Sequence, residues 1–152
     1  MKRIITTALL LCLLFACASA ETLSEYIDDY NIYASVLGAP EIDLAAIKKY
    51  TASNGREMYT ASVPGLSKFN LYADFTGCSC TGSNVETFLR TATALCIKAI
   101  GKNNAANIYC SVMSSYLFAK VDGESDLDSI NDWALKITYK DGEYQIICVK
   151  YR

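Results

Sequence analysis

The chain has 152 residues, 14 of them basic and 16 acidic, and it contains no histidine. That length suits one domain. The missing histidine excludes histidine-based catalytic triads, acid–base pairs and metal sites, and a slightly acidic balance without any basic run lacks the positive face that nucleic acid requires.

Lys2 and Arg3 precede an apolar run from Ile4 to Ala18, and Ala18-Ser19-Ala20 is a small-x-small cleavage signal. These are the three parts of a secretory signal peptide. Residues 1–20 are therefore expected to be a leader and 21–152 a single mature domain, secreted or held in the periplasm or cell envelope. The run is short for a membrane span and no second one follows, so no transmembrane helix is expected in the mature chain. Leu14-Phe15-Ala16-Cys17 resembles a bacterial lipobox, and on that reading Cys17 carries acyl chains that tether the domain to a membrane. Loss of Lys2 and Arg3 with the leader takes the basic count from 14 to 12 against 16 acidic residues, a net charge of −4. Cys12 and Cys17 go with the leader, leaving Cys78, Cys80, Cys96, Cys110 and Cys148. An odd number in an exported chain leaves at least one thiol free or intermolecular.

Residues 21–37 carry a helix pattern. Thr22-x-x-Glu25 is a capping box, Leu23, Ile27, Tyr30, Ala34 and Leu37 form an apolar stripe, and Gly38 with Pro40 ends it. Tyr26, Tyr30 and Tyr33 are expected to cover the core edge. Residues 40–50 are expected to form a second, shorter helix, with Pro40 at its first position, Leu44 and Ile47 facing inward, and Lys48 and Lys49 near its C-terminal end. Ser53-Asn54-Gly55 reads as a turn.

Arg56–Val63 and Leu66–Phe75 are expected strands joined at Pro64-Gly65. In the second, Phe69, Leu71, Ala73 and Phe75 alternate with Asn70, Tyr72 and Asp74. Cys78-Ser79-Cys80 is then expected in a loop before a helix over 84–100, whose apolar stripe is Val85, Phe88, Leu89, Ala92, Leu95, Cys96, Ala99 and Ile100. Ala105–Val121, rich in Ile, Tyr, Val and Phe, reads as extended, with a bend near Ser114-Ser115. Asp122–Asp132 reads as an acidic loop. Last comes a hairpin. Trp133, Leu135, Ile137 and Tyr139 alternate, Asp141-Gly142 favours a type I′ turn, and Tyr144, Ile146 and Cys148 alternate on the return. The turn predicts Lys140 opposite Glu143, Ile137 opposite Ile146 and Leu135 opposite Cys148.

The expected fold is α+β: a two-layer sandwich in which an antiparallel sheet of about five strands carries helices on one face, in the order α-α-β-β-α-β-β-β. Three groups of residues are candidates for function. Cys78 and Cys80, placed at a helix N-terminus, suit a lowered thiol pKa and redox or soft-metal chemistry. Asp122, Glu124, Asp126 and Asp128 alternate in the manner of oxygen ligands for Ca²⁺, although the loop lacks the EF-hand pattern. Tyr72, Ile147, Val149 and Tyr151 place apolar and aromatic groups on the second sheet face, where a partner protein or small molecule would dock. Cys96, Cys110 and Cys148 fall on faces expected to point inward, as small buried hydrophobes. No catalytic constellation or cofactor motif is present. The leading expectation is an exported, non-enzymatic binding domain, and the alternative is a thiol redox or soft-metal protein acting through Cys78-Ser79-Cys80.

Overall fold

A computed structural model describes residues 21–51, 55, 57–71 and 75–151. The expected leader, Cys17 and Tyr72 lie outside these residues. Helix α1 (Leu23–Leu37) begins where its cap demands: the Thr22 hydroxyl accepts the Glu25 amide, and the Glu25 carboxylate accepts the Thr22 amide at 2.8 Å. It stops at Gly38, which takes the left-handed conformation at φ 66°. The Tyr30 hydroxyl donates to the Pro40 carbonyl at 2.9 Å and folds the exit back onto the helix.

Seven strands follow among the described residues: β1 (Lys48–Thr51), β2 (Glu57–Thr60), β3 (Lys68–Leu71), β4 (Phe75–Thr81), β5 (Asp128–Ile130), β6 (Trp133–Lys140) and β7 (Glu143–Lys150). Helices α2 (Val85–Ile100) and α3 (Ala105–Asp122) connect β4 to β5. The strands form one sheet in the order β1-β2-β3-β4-β7-β6-β5, with every neighbouring pair antiparallel. Two meanders, β1–β4 and β5–β7, are thus zipped together along β4 and β7, and the helical hairpin bridges the seam.

Phe69, Cys78, Ile146 and Ile137 face one another across four strands, and Leu71, Thr76, Cys148 and Leu135 make the next row. All eight are nearly inaccessible. Helix α2 lies over β4 and β7, α3 over β5 and β6, and α1 against α2. Tyr30 of α1 meets Phe69 edge-on at 5.6 Å, while Phe88 of α2 and Tyr116 of α3 lie 6.1 and 5.2 Å from the Tyr144 ring. All three helices therefore roof the same face of the sheet, which is the α+β two-layer arrangement expected.

The last hairpin has the expected register, Lys140 to Glu143, Ile137 to Ile146 and Leu135 to Cys148. Asp141 and Gly142 both have positive φ, as a type I′ turn requires. Four expectations are corrected. The 40–50 segment is not a helix: Asp43 caps a single turn at Leu44–Ala46, Leu44 is exposed, and Lys48–Thr51 pairs with β2 as an edge strand. Phe69 and Leu71 do not share a strand with Phe75; β3 ends at Leu71, and Phe75 opens β4 on the opposite face of the sheet. Cys78-Ser79-Cys80 is not a loop but the middle of β4. Ala105–Val121 is not extended but helical, and the element order is α-β-β-β-β-α-α-β-β-β.

Candidate functional site

Strand β4 runs FTGCSCT, a sequence that reads like a turn and is instead a central strand. Its backbone approaches β7 closely: a Cβ added at Gly77 would lie 2.5 Å from the Ile146 carbonyl oxygen, so glycine alone fits. Cys78 and Cys80, two residues apart, both point into the core and are buried. Neither sits at a helix N-terminus, because a turn at Gly82–Asn84 separates β4 from α2. Burial pushes the Cys78 thiol up, and burial with the nearby Glu143 carboxylate pushes Cys80 up to about 11. Both shifts oppose the thiolate that reactive chemistry needs. Between them, Ser79 faces the other side of the sheet and donates to Glu143 at 2.5 Å.

The four carboxylates considered for calcium are divided. Asp122, Glu124 and Asp126 line one hollow of about 360 Å³ with Phe118, Leu127 and Lys136, while Asp128 lines another with Asn107 and Ser129. Glu124 is paired with Lys136 at 2.7 Å, and Asp128 accepts the Ser129 amide at 2.9 Å. Among the described residues no group of three or more Cys, Asp or Glu side chains is arranged to hold a metal ion.

The second sheet face carries no described helix. Ile147 is half-buried there and Val149 is 38% exposed, with Lys68, Lys136, Lys140 and Gln145 around them. Tyr151 is tied at the strand end: its amide donates to the Asp132 carbonyl at 2.7 Å and its hydroxyl shares a 2.7 Å hydrogen bond with Ser129. This face is mainly polar.

A larger apolar surface lies on the helical side. Helix α3 buries Ile108, Val112, Ser115 and Ala119 against the core. Its other side repeats the spacing of four with Tyr109, Met113, Leu117 and Val121, so these residues lie along one face. Leu117 is 57% and Val121 81% exposed, and Phe118 beside them is 60% exposed. At one end this ridge borders a groove of about 290 Å³ formed by Leu37 of α1, Leu89 and Thr93 of α2, and Tyr109 and Met113 of α3. An Arg90–Glu86 ion pair edges that groove, and Arg90 also donates to the Gly38 carbonyl at 3.2 Å. At the other end the ridge runs to Asp122 and the hollow of three carboxylates. Cys110, expected inside, is exposed on this helix.

Sequence reasoning missed the ridge because it took the segment as extended. The signal that finds it is the pair of interleaved four-residue spacings, over a length beyond that of ordinary strands. Set against known proteins, the chain matches no family model, no curated protein and no solved structure.

Proposed function

We propose that the chain is an exported, non-enzymatic binding domain that docks a basic amphipathic helix of another protein along α3. The observation that carries this reading is a helix apolar on both sides, one of them uncovered: Leu117 and Val121 are more than half exposed and aligned with Tyr109 and Met113. Helices that are apolar all round are normally enclosed, and a row of side chains meeting a groove is how amphipathic helices are received. The charge of the occupant follows from the far end of the ridge, where the described lining of one hollow sets Asp122, Glu124 and Asp126 against Lys136. Export is supported by the Lys2–Arg3, Ile4–Ala18 and Ala18-Ser19-Ala20 pattern.

The test is an NMR titration of the 21–152 chain with a synthetic amphipathic peptide of alternating Leu and Lys turns. Amide shifts are expected to concentrate on residues 109–121 and on Leu89. Leu117→Glu is expected to weaken binding by about tenfold or more. Shifts confined to Ile147 and Val149 would move the docking surface to the second sheet face, and no shifts at all would refute a helix-binding role. Mass spectrometry of the secreted chain tests export separately, with Glu21 expected as the first residue.

A further inference from the structure

We propose that Cys96 and Cys148 are a disulfide-forming pair that staples α2 to β7 as the domain folds. Cys148 lies on the core face of β7, in the row of Thr76 and Leu135. Cys96 lies on the sheet side of α2, one turn beyond Ala92 and two beyond Phe88. Both side chains are fully buried and α2 packs across β4 and β7. Phe88 meets Tyr144 at 6.1 Å, and from that contact two helical turns, about 12 Å, lead to Cys96 while four strand residues, about 13 Å, lead to Cys148.

Competing pairings fit worse. Cys78 opposes Ile146 while Cys148 opposes Thr76, so Cys78 and Cys148 are diagonal neighbours on adjacent strands. Diagonal positions are about 7–8 Å apart, and a disulfide needs Cβ atoms within about 4.5 Å. Cys78 and Cys80 point the same way from one strand and have a similar gap. Cys78 lies opposite Ile146, one row short of Cys148 on the way from Tyr144, so Cys148 is the cysteine level with Cys96. Cys110, exposed on α3, is left as the unpaired thiol of an odd set.

The chemistry is ordinary exchange with a disulfide donor, either a small oxidised thiol or the disulfide of an oxidoreductase. One cysteine thiolate attacks a donor sulfur and expels one donor thiol, forming a mixed disulfide. The second cysteine thiolate then attacks the protein sulfur and expels the other donor thiol. The two protein thiols give up two electrons and two protons, and the donor disulfide takes them to become two thiols. The native core opposes this step. The neighbouring Cys148 thiol and burial both raise the Cys96 thiol pKa, so little thiolate is present once the core has closed. The bond is therefore made while the chain is still open and is afterwards shielded from reductants.

The experiment needs neither export nor a partner, so its failure is distinct from failure of the helix-docking reading. The full chain is reduced, unfolded, refolded in a glutathione redox buffer, capped with N-ethylmaleimide before and after a second unfolding step, digested and mapped by mass spectrometry. The expected result is a Cys96–Cys148 cross-linked peptide, Cys110 capped in the folded protein, and Cys78 and Cys80 capped only after unfolding. Dithiothreitol is expected to open the bond at least about tenfold more slowly in the folded than in the unfolded chain. A Cys78–Cys96 link, or Cys96 and Cys148 both capped as thiols, would overturn the assignment. In Cys148→Val, which keeps the site apolar, the gap in urea midpoint between oxidised and reduced samples is expected to vanish; a gap that persists would count equally against the pair.

Discussion

Helices α2 and α3 are consecutive, nearly equal in length and similarly apolar, yet they meet different fates. Helix α2 lies over the sheet between α1 and α3 and buries Phe88, Thr91, Ala92, Leu95 and Cys96 among others, so its apolar side is used up within the domain. Helix α3 sits at the end of the helical layer, with α2 on one flank and β5 and β6 beneath. It buries the Ile108–Val112–Ala119 side and leaves Leu117 and Val121 in water. The contrast teaches that neighbours, rather than composition, decide which apolar face of a helix is satisfied. A helix with one neighbour too few keeps an apolar side in water.

The comparison breaks or sharpens under substitution. The largest effect is expected at the fully buried Phe88, where Phe88→Ala should cost about 3–5 kcal/mol in urea denaturation. Ile108→Ala, on the covered side of α3, should cost about 2–5 kcal/mol. A cost below 1 kcal/mol there would mean that α3 is not anchored as α2 is. A smaller effect is expected at Lys98, which holds the start of α1 to the end of α2. Its ammonium, with the side chain only 10% exposed, pairs with Asp29 at 2.9 Å and with Glu21, and lies 5.0 Å from the Tyr26 ring. Burial acts to lower its pKa, but the hydrogen bonds to Glu21 and Asp29 outweigh that and raise it above the ordinary 10.5. A raised lysine contributes stability that is fully present below its unfolded pKa and is lost as pH climbs through the folded one. Lys98→Met should therefore lose about 1 kcal/mol, since both carboxylates are half in water. The gap from the unaltered protein should stay flat from neutral pH up to about 10 and close above 10.5. The smallest effect is expected on the outer ridge, where Leu117→Ser and Val121→Ser should each change stability by less than about 0.5 kcal/mol. A loss comparable with that at Ile108 would show that the ridge is already covered and remove the reason for a partner.

Which parts were legible follows from how far each signal reaches. The α1 cap lies within four residues, and the Asp141-Gly142 turn sets the register of sixteen strand residues by itself. The stripe of α2 is continuous over its length. The failures share a different cause. In α3, aromatic and branched residues fit a period of two as readily as one of four: Ile108, Cys110 and Val112 suit the first, Ile108 and Val112 the second. Only packing on β6 makes the helical period decisive. In β4, small residues look like a turn until β3 and β7 supply partners on both sides. Lys48–Thr51, exposed at every position and led by two lysines, is a strand only because Glu57–Thr60 pairs with it. The site was less legible than the fold. Cys78 and Cys80 are conspicuous by being close in sequence, whereas Cys96 and Cys148, both buried where α2 packs on β7, are far apart along the chain.

By itself the sequence determined the α+β class, the extent of α1 and α2, and the terminal hairpin with its pairing. Each of these rests on interactions between residues a few positions apart, whose energies exist before the chain has folded. Tertiary structure decided that a run of glycine, serine and cysteine becomes a central strand, that 105–122 coils rather than extends, and that α3 keeps a bare apolar side. Those outcomes depend on surfaces brought from elsewhere in the chain, and their stabilising contacts exist only once the sheet and its helical roof have assembled.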